Sequence, residues 1–159
     1  MNEKDADTVA KAFNRLHSKV MGTIILRKNL FFDLDVRNKD DVFRQMTDRI
    51  QQTFALPSDF LEQIRNREAL SSTELDNRIA IPHPLHTENI PNFIAIARLS
   101  RPILWDTKQV QLVLMICNNG ISNPWLYTKI THILQDAEIS QKLLSVKDFD
   151  AFRNLFETI

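Results

Sequence analysis

The segment Ile79-Ala-Ile-Pro-His-Pro-Leu-His86 places a histidine directly after a short apolar strand. Pro82 and Pro84 flank His83, and each proline fixes its own φ and restricts the residue before it. The histidine backbone is therefore held at the end of a sheet, where sites are common in α/β layers. Much of an imidazole is unprotonated near neutral pH, so His83 is a candidate nucleophile. The residues alone nevertheless favour an ordinary loop histidine stiffened by prolines.

The sequence gives little support for a zinc site or for chemistry at a cysteine. His83 and His86 do not indicate a zinc site, because Pro84 interrupts any helical pairing and the one cysteine is distant. That cysteine, Cys117, ends the apolar run that begins at Val110, and a lone buried thiol usually acts as a small hydrophobe. We therefore expect neither a metal nor a disulfide within this chain.

The hydrophobic pattern predicts the elements that position the histidine. Predicted strands cover 29–34, 79–81, 93–99 and 110–117. Predicted helices begin near Asn38 or Lys39, at Pro57-Ser58, at Asn123-Pro124, and after Asp136 and Asp148 as caps. The order is strand, two helices, three strands, three helices. Because the strands are clustered, we expect an α+β fold: a three-layer α/β/α sandwich with one mixed β-sheet.

Composition narrows the class of protein. The 159 residues contain 20 Lys and Arg and 20 Asp and Glu, so the formal net charge is zero. A dedicated nucleic-acid binder usually carries a basic surplus, so we expect no direct contact with nucleic acid. No apolar stretch approaches the roughly 20 residues that span a bilayer, and the N-terminal residues do not resemble a signal peptide. We expect a cytoplasmic protein without membrane contact.

A longer pattern surrounds the histidine. Arg67-Glu-Ala-Leu-Ser-Ser-Thr73 precedes it, and Ala97-Arg-Leu-Ser-Arg-Pro-Ile103, Trp105 and the apolar strand from Val110 follow. Together with Ile79-Ala-Ile-Pro-His83, these stretches resemble the enzyme IIA (EIIA) domains of the fructose/mannitol type, type 2, in the sugar phosphotransferase system (PTS). The resemblance covers residues 29–159. Residues 1–28 are interpreted as a linker or an N-terminal helical segment.

The resemblance implies phosphoryl transfer without a metal or organic cofactor. The small phosphocarrier protein HPr would phosphorylate His83, and a downstream acceptor would take the phosphoryl group. Arg67 would steady the phosphoryl oxygens; the alternative is a surface ion pair with Glu68 or a neighbour. Thr73 would either donate a hydrogen bond to the phosphate or hold its loop. His86 would share a proton or contact the phosphate, although a solvated loop residue is the favoured alternative.

Two departures from the family pattern point to one branch. Glu74-Leu-Asp-Asn-Arg78 replaces a loop that is commonly glycine-rich, although Asp76 and Asn77 tolerate left-handed conformations. The family's second histidine is missing from Ser122-Asn-Pro-Trp-Leu126, and His132 is a poor substitute by position.

The branch that fits is the EIIA-like module of transcriptional antiterminators and activators with PTS-regulation domains, whose upstream domains would be partners in the same chain. One alternative is a transport EIIA that passes phosphate to the EIIB domain of a sugar permease. The other is a non-catalytic interaction domain, against which intact Arg67 and His83 count.

Overall fold

A computed structural model describes residues 26–118 and 124–159, together with Val9. Its strands are β1 (Phe31–Leu34), β2 (Ile79–Ala80), β3 (Phe93–Leu104) and β4 (Gln109–Cys117). Its helices are α1 (Lys39–Gln51), α2 (Phe60–Leu70), α3 (Pro124–Gln135), α4 (Ala137–Ser145) and α5 (Phe149–Thr158). The predicted order of elements is confirmed. The predicted N-terminal helix, apart from Val9, and the predicted cap Asn123 lie outside the described residues.

The sheet is mixed, with the strand order β1-β3-β4-β2. The two long central strands are antiparallel, and each carries a short parallel strand on its outer side. β2 pairs with β4 so that Ile79 lies opposite Leu112. Because β2 and β4 are parallel, the residues that follow β2 and the residues that follow β4 emerge at the same edge of the sheet.

Helices cover both faces of this sheet, which confirms the three-layer sandwich. Successive strand residues point to opposite faces, so neighbouring residues of one strand enter different clusters. One cluster joins the sheet to α1 and α2 through Phe43, Met46, Phe60, Ile64, Phe93, Ala95, Val113 and Met115. The other joins it to α3, α4 and α5 through Ile94, Ile96, Leu112, Leu114, Ile130, Leu143, Phe152 and Phe156. No described helix has the length and apolar character that crossing a bilayer requires.

Side-chain caps fix three of the helix starts. Asn38 accepts a hydrogen bond from the Asp41 N–H, Asp136 from Glu138 and Asp148 from Ala151. A cap of this kind satisfies one of the backbone donors left open in the first helical turn. The caps predicted at Asp136 and Asp148 are confirmed, and so is the predicted helix start at Asn38 or Lys39.

Some predicted boundaries are wrong by a few residues. Lys28–Leu30 forms a single 3₁₀ turn before β1, and Pro57 forms a turn that closes on the Phe60 N–H, so α2 starts later than expected. β3 continues past the expected end at Leu99 to Leu104, with an irregularity in its pairing after Arg98. The hydrophobic pattern does not mark these boundaries because hydrogen-bond geometry sets them.

The loop between α2 and β2 folds back along the outer side of β2. Leu75 donates its N–H to the Ile79 carbonyl at 2.8 Å, and Ile81 donates its N–H to the Thr73 carbonyl at 3.0 Å. Glu74 also bridges antiparallel to Ala80. Residues 73–75 therefore act as a cover on the free edge of β2.

Two adjacent residues of this loop have left-handed backbone. Asn77 has a φ of 61° and Arg78 a φ of 64°. Of Asp76 and Asn77, the two residues expected to tolerate a left-handed backbone, only Asn77 adopts it. The second left-handed residue is Arg78. The Arg78 carbonyl accepts the N–H groups of Gln111 and Leu112 at 2.9 and 3.0 Å, and this pairing holds Arg78 in place despite its Cβ.

Candidate functional site

His83 lies three residues beyond Ala80, the last paired residue of β2. Its approach is fixed on both sides: Ile81 donates its N–H to Thr73, and the Pro82 carbonyl accepts the N–H of Ile116 in β4 at 3.0 Å. Pro82 and Pro84 are both buried, and His83 between them is half-buried. The backbone of the histidine is therefore held at the edge of the sheet, as the two prolines predict.

Both ring nitrogens of His83 have hydrogen-bond partners. Nδ1 lies 2.9 Å from the Ile81 carbonyl oxygen, and Nε2 lies 3.1 Å from Nε of Arg67. A carbonyl oxygen only accepts and a guanidinium N–H only donates. These partners assign the proton of the neutral ring to Nδ1 and the lone pair to Nε2. Nε2 is thus the nucleophilic atom of this imidazole.

The last turn of α2 carries Arg67 to the imidazole. Its Nη1 donates to the Ser71 carbonyl at 2.7 Å while its Nε donates to His83. A guanidinium stays positively charged and presents several donors in one plane, a geometry that suits phosphate and carboxylate groups. A permanent cation therefore lies against the nucleophilic nitrogen. The proposed ion pair between Arg67 and Glu68 is not formed, because Glu68 points away into the protein.

Glu68 is a buried carboxylate beside this site, with 6% of its surface exposed. Oε1 accepts the Thr73 N–H at 3.0 Å and the Trp105 Nε1–H at 2.7 Å, and Oε2 accepts the Thr73 hydroxyl at 2.6 Å. The ammonium of Lys39 lies 3.8 Å from Oε1. A buried charge is tolerated when it is paired and hydrogen-bonded in this way. Sequence reasoning placed Glu68 next to Arg67 but did not identify this network.

Thr73 and His86, the other two predicted phosphate contacts, differ in how they are connected to the His83 ring. Thr73 is 4% exposed and gives its hydroxyl to Glu68. His86 is exposed, and its backbone N–H donates to Oε1 of Gln63 at 3.1 Å. Among the described residues, Arg67 is hydrogen-bonded directly to the His83 ring. Thr73 is connected to that ring through the backbone of Ile81. No hydrogen bond connects the His86 ring to the His83 ring in the described part of the chain.

β4, which precedes α3 in the chain, ends at the same edge of the sheet as β2, which leads to His83. Residues 119–123, which lead into this helix, lie outside the described residues. His132 is in the last turn of α3, eight residues after Pro124 and so about 12 Å along the helix axis. This distance agrees with the expectation that His132 is badly placed to serve as a second histidine at the start of the helix.

The loop before β2 is tied to the β3–β4 turn by Glu74. Its carboxylate accepts the backbone N–H groups of Asp106, Thr107 and Lys108 and the Thr107 hydroxyl. Desolvation on its own raises the pKa of Glu74, but these hydrogen bonds outweigh it and hold the pKa below the usual value of 4.5. Glu74 therefore stabilises the loop in its ionised form.

Neither metal-binding clusters nor an activated thiol accompany His83 in the described ranges. No three His, Cys, Asp or Glu side chains come together there as metal ligands. Cys117 is buried, and desolvation raises the pKa of its thiol to about 12. A thiol in this setting is a poor nucleophile.

Curated relatives of the chain include whole regulators and single domains. It is 28% identical over 136 residues to the "Probable licABCH operon regulator" of Bacillus subtilis (strain 168), which covers 83% of this chain and 21% of that protein. It is 20% identical to the mannitol-specific phosphotransferase enzyme IIA component of Staphylococcus aureus (strain Mu50), covering 86% of this chain and 97% of the relative. The chain thus spans about a fifth of the regulator's length.

A solved structure shares the fold. The complex of enzyme IIA mannitol with phosphorylated enzyme IIB mannitol from Escherichia coli matches with a TM-score of 0.73 and 15% identity, covering 86% of this chain and 99% of that chain. The family model described as "Phosphoenolpyruvate-dependent sugar phosphotransferase system, EIIA 2" matches residues 23–159. This chain therefore belongs to the EIIA type 2 family of the phosphoenolpyruvate-dependent sugar phosphotransferase system.

Proposed function

We propose that this chain carries a phosphoryl group on Nε2 of His83, received from HPr. The observation that supports this most directly is the assignment of the ring proton. Nδ1 donates to the Ile81 carbonyl, so Nε2 holds a lone pair, and Arg67 lies 3.1 Å from it. A nucleophile with a fixed tautomer and an adjacent cation suits phosphoryl transfer, in which catalysis is mostly positioning and charge stabilisation.

In the proposed reaction the Nε2 lone pair attacks the phosphorus atom. The new N–P bond forms as the bond between phosphorus and its donor atom on HPr breaks, and that electron pair returns to HPr. No proton has to leave the ring during the step, because Nδ1 keeps its proton and its hydrogen bond to Ile81. The backbone carbonyl also stabilises the positive charge that develops on the imidazole.

Arg67 has two successive partners in this proposal. Its Nε–H occupies the Nε2 lone pair before the reaction, so this hydrogen bond must break for attack to occur. The guanidinium then turns to the phosphoryl oxygens, where charge-assisted hydrogen bonds are stronger than the bond to a neutral imidazole. The change of partner couples the release of the nucleophile to the binding of the group it accepts.

The other predicted contacts remain proposals with alternatives. The hydrogen bond from the Thr73 hydroxyl to Glu68 supports the loop-holding role over direct phosphate contact. The exposure of His86 supports a solvated loop residue over a phosphate contact. For Thr73, the comparison of Thr73→Val with Trp105→Phe separates the roles, because each variant removes one hydrogen bond to Glu68: slow phosphorylation of Thr73→Val alone indicates direct phosphate contact. His86→Ala should leave the phosphorylation rate unchanged.

The test is phosphorylation with enzyme I, HPr and labelled phosphoenolpyruvate. We expect an acid-labile label that disappears in His83→Ala and remains in the matched control His132→Ala. Peptide mapping should place the label on His83. A labelled His83→Ala variant, with the phosphate on His86 or elsewhere, would show that the site is wrongly assigned.

We propose further that the domain acts as a regulatory module in a transcriptional regulator of sugar use. The similarity to the Bacillus regulator supports this, and a phosphoryl dianion on His83 can recruit or repel a neighbouring surface. Residues 1–28 would link it to upstream domains. HPr draws its phosphate from phosphoenolpyruvate, a cytosolic metabolite, and we therefore propose a cytosolic location.

The second candidate is a transport EIIA that passes its phosphate to an EIIB domain. The Staphylococcus relative, matched over 97% of its length, favours this alternative. Mixing the labelled domain with fructose- and mannitol-type EIIB domains distinguishes the two. We expect slow loss of label, since the start of the helix after β4 has no second histidine in the sequence. Transfer within seconds at micromolar protein, equal to a known transport EIIA measured in parallel, would instead support the transport role.

A further inference from the structure

We infer that Glu68 is a positioning residue of the phosphorylation site, and that it fixes both hydrogen bonds of the His83 ring. The inference rests on the proposed function of His83. Glu68 does not touch the imidazole. It lies one residue from Arg67 and accepts both polar hydrogens of Thr73, and these two neighbours lead to the two ring nitrogens along separate routes.

The first route runs through the loop to Nδ1. Glu68 holds the Thr73 N–H and hydroxyl, so the backbone of Thr73 is fixed at the end of α2. The Thr73 carbonyl accepts the Ile81 N–H at 3.0 Å. The Ile81 carbonyl in turn accepts Nδ1–H of His83 at 2.9 Å. The carboxylate is thus connected to the tautomer of the histidine by three consecutive hydrogen-bonded links.

The second route runs through the helix to Nε2. Glu68 anchors the last turn of α2 because Trp105, at the end of the β3 region, and Thr73 bind its two oxygens. Arg67 occupies the same turn and reaches Nε2 from it. The Ser71 carbonyl that binds Nη1 of Arg67 lies between the two anchored residues. A shift of the turn would therefore move the guanidinium relative to the imidazole.

The partners of Glu68 come from separate parts of the fold. Lys39 begins α1, Thr73 lies in the loop before β2, and Trp105 follows β3. Trp105 is 4% exposed and packs edge-on against Phe43, with ring centroids 5.5 Å apart. One buried carboxylate thus joins the ends of two helices to the loop before β2 and to the residue that follows β3. Misplacement of reacting groups by about 1 Å can lower a rate on the order of 100-fold.

Trp105→Phe and Thr73→Val are the sharpest variants, because each removes one hydrogen bond to Glu68. Valine has nearly the shape of threonine, and phenylalanine keeps an aromatic ring at position 105 although it is smaller than tryptophan. Glu68→Gln keeps an acceptor for the Thr73 and Trp105 N–H groups, and Glu68→Ala removes the network. The matched control is Phe152→Leu in α5. It lies in the hydrophobic cluster on the other face of the sheet and lowers stability without contact to the site.

Two readouts separate positioning from a merely structural role. The first is the tautomer of His83 in the unphosphorylated domain, measured by long-range ¹H–¹⁵N correlation. We expect the Nδ1–H tautomer in the wild type and in Phe152→Leu, and a mixture of tautomers in Trp105→Phe and Thr73→Val. The second is the phosphorylation rate at varied HPr concentration. We expect the maximal rate to fall about tenfold in each of these two variants, with an unchanged half-saturating concentration of HPr.

Glu68→Gln should lose less of the maximal phosphorylation rate than Glu68→Ala. If the alanine variant does not fold, Trp105→Phe, Thr73→Val and Glu68→Gln decide. The inference is overturned if folded Trp105→Phe and Thr73→Val retain the wild-type tautomer and maximal rate. It is also overturned if Thr73→Val alone is slow, since that result assigns the hydroxyl to the phosphate. A wild-type domain that is not labelled on His83 refutes the proposed function instead, and the tautomer measurement still tests Glu68.

Discussion

The polar side chain of Asn77 should contribute measurably to the stability of the fold, although it belongs to neither hydrophobic cluster. Its Nδ2 donates to the carbonyls of Ile133 and Leu134, both at 2.8 Å. These carbonyls belong to the last turn of α3, where the helix provides no donors of its own. In Asn77→Ala both acceptors lose their partner, and an alanine must adopt the φ of 61°.

The expected loss follows from these two effects. Two hydrogen bonds at about 0.5–1.5 kcal/mol each give about 1–3 kcal/mol, and the left-handed backbone costs an alanine about 1 kcal/mol more. Asn77→Ala should therefore lose about 2–4 kcal/mol. Asn77→Gly loses the same hydrogen bonds without the backbone cost, so it should remain about 1 kcal/mol more stable than the alanine variant.

Urea unfolding followed by tryptophan fluorescence measures this difference. With a slope of about 2 kcal/mol/M, the midpoint of Asn77→Ala should fall by about 1–2 M. Asn77→Asp is the sharper control, because an ionised carboxylate would face two carbonyl oxygens at the negative end of a helix. It should be less stable than alanine at pH 7 and should gain relative stability as the pH falls. Midpoints of Asn77→Ala and Asn77→Gly within about 0.2 M of the wild type would refute the reasoning.

Further variants test the site and its supports. Arg67→Ala should fold normally and accept phosphate about one to two decades more slowly in a stopped assay, since one charge-assisted contact is worth about 1.5–3 kcal/mol; an unchanged rate excludes a role in transfer. Because the pKa of Glu74 is lowered in the folded state, its carboxylate contributes to the free energy of unfolding. This contribution is fully present above the unfolded-state pKa and is lost as the pH falls through the folded-state pKa. Glu74→Gln should therefore flatten the stability profile below about pH 5, and an identical acid limb in both proteins would contradict this. Arg78→Gly should raise the free energy of unfolding by about 1 kcal/mol, because it removes a left-handed residue that carries a Cβ. Thermal melts should show a higher melting temperature, and a lower one would count against this reasoning. Cys117 should react with a thiol reagent only as fast as the protein opens, and rapid labelling of the folded domain would contradict its burial.

Local patterns in the sequence were sufficient for the order of elements, whereas the choice of His83 depended on the longer motif that resembles the family. The apolar runs of the strands, the helix start at Asn38 and the caps Asp136 and Asp148 have local causes, so a single sequence reveals them. The motif that contains His83 and Arg67 led to a pair that lies in hydrogen-bond contact. The backbone partner of Nδ1 had no such signal, because any residue at position 81 supplies a carbonyl.

Glu68 and Asn77 show why the rest was out of reach. Adjacent residues on a helix point about 100° apart, and only the packing of α2 decides that Arg67 faces the imidazole while Glu68 faces inward. The contacts of Asn77 lie 56 and 57 positions along the chain. Polar side chains such as these carry no hydrophobic periodicity, so their partners emerge only when the layers are assembled.

The cover formed by residues 73–75 limits how another protein can approach the histidine. The carbonyl of Ile79 and the N–H of Ile81 point outward from β2, and both are already occupied by the cover. An open edge strand invites a partner to add a strand of its own, with aggregation as the hazard. Here that mode of binding is closed next to His83. A partner that added a strand to β2 would first have to break the hydrogen bonds that residues 73–75 make to Ile79 and Ile81.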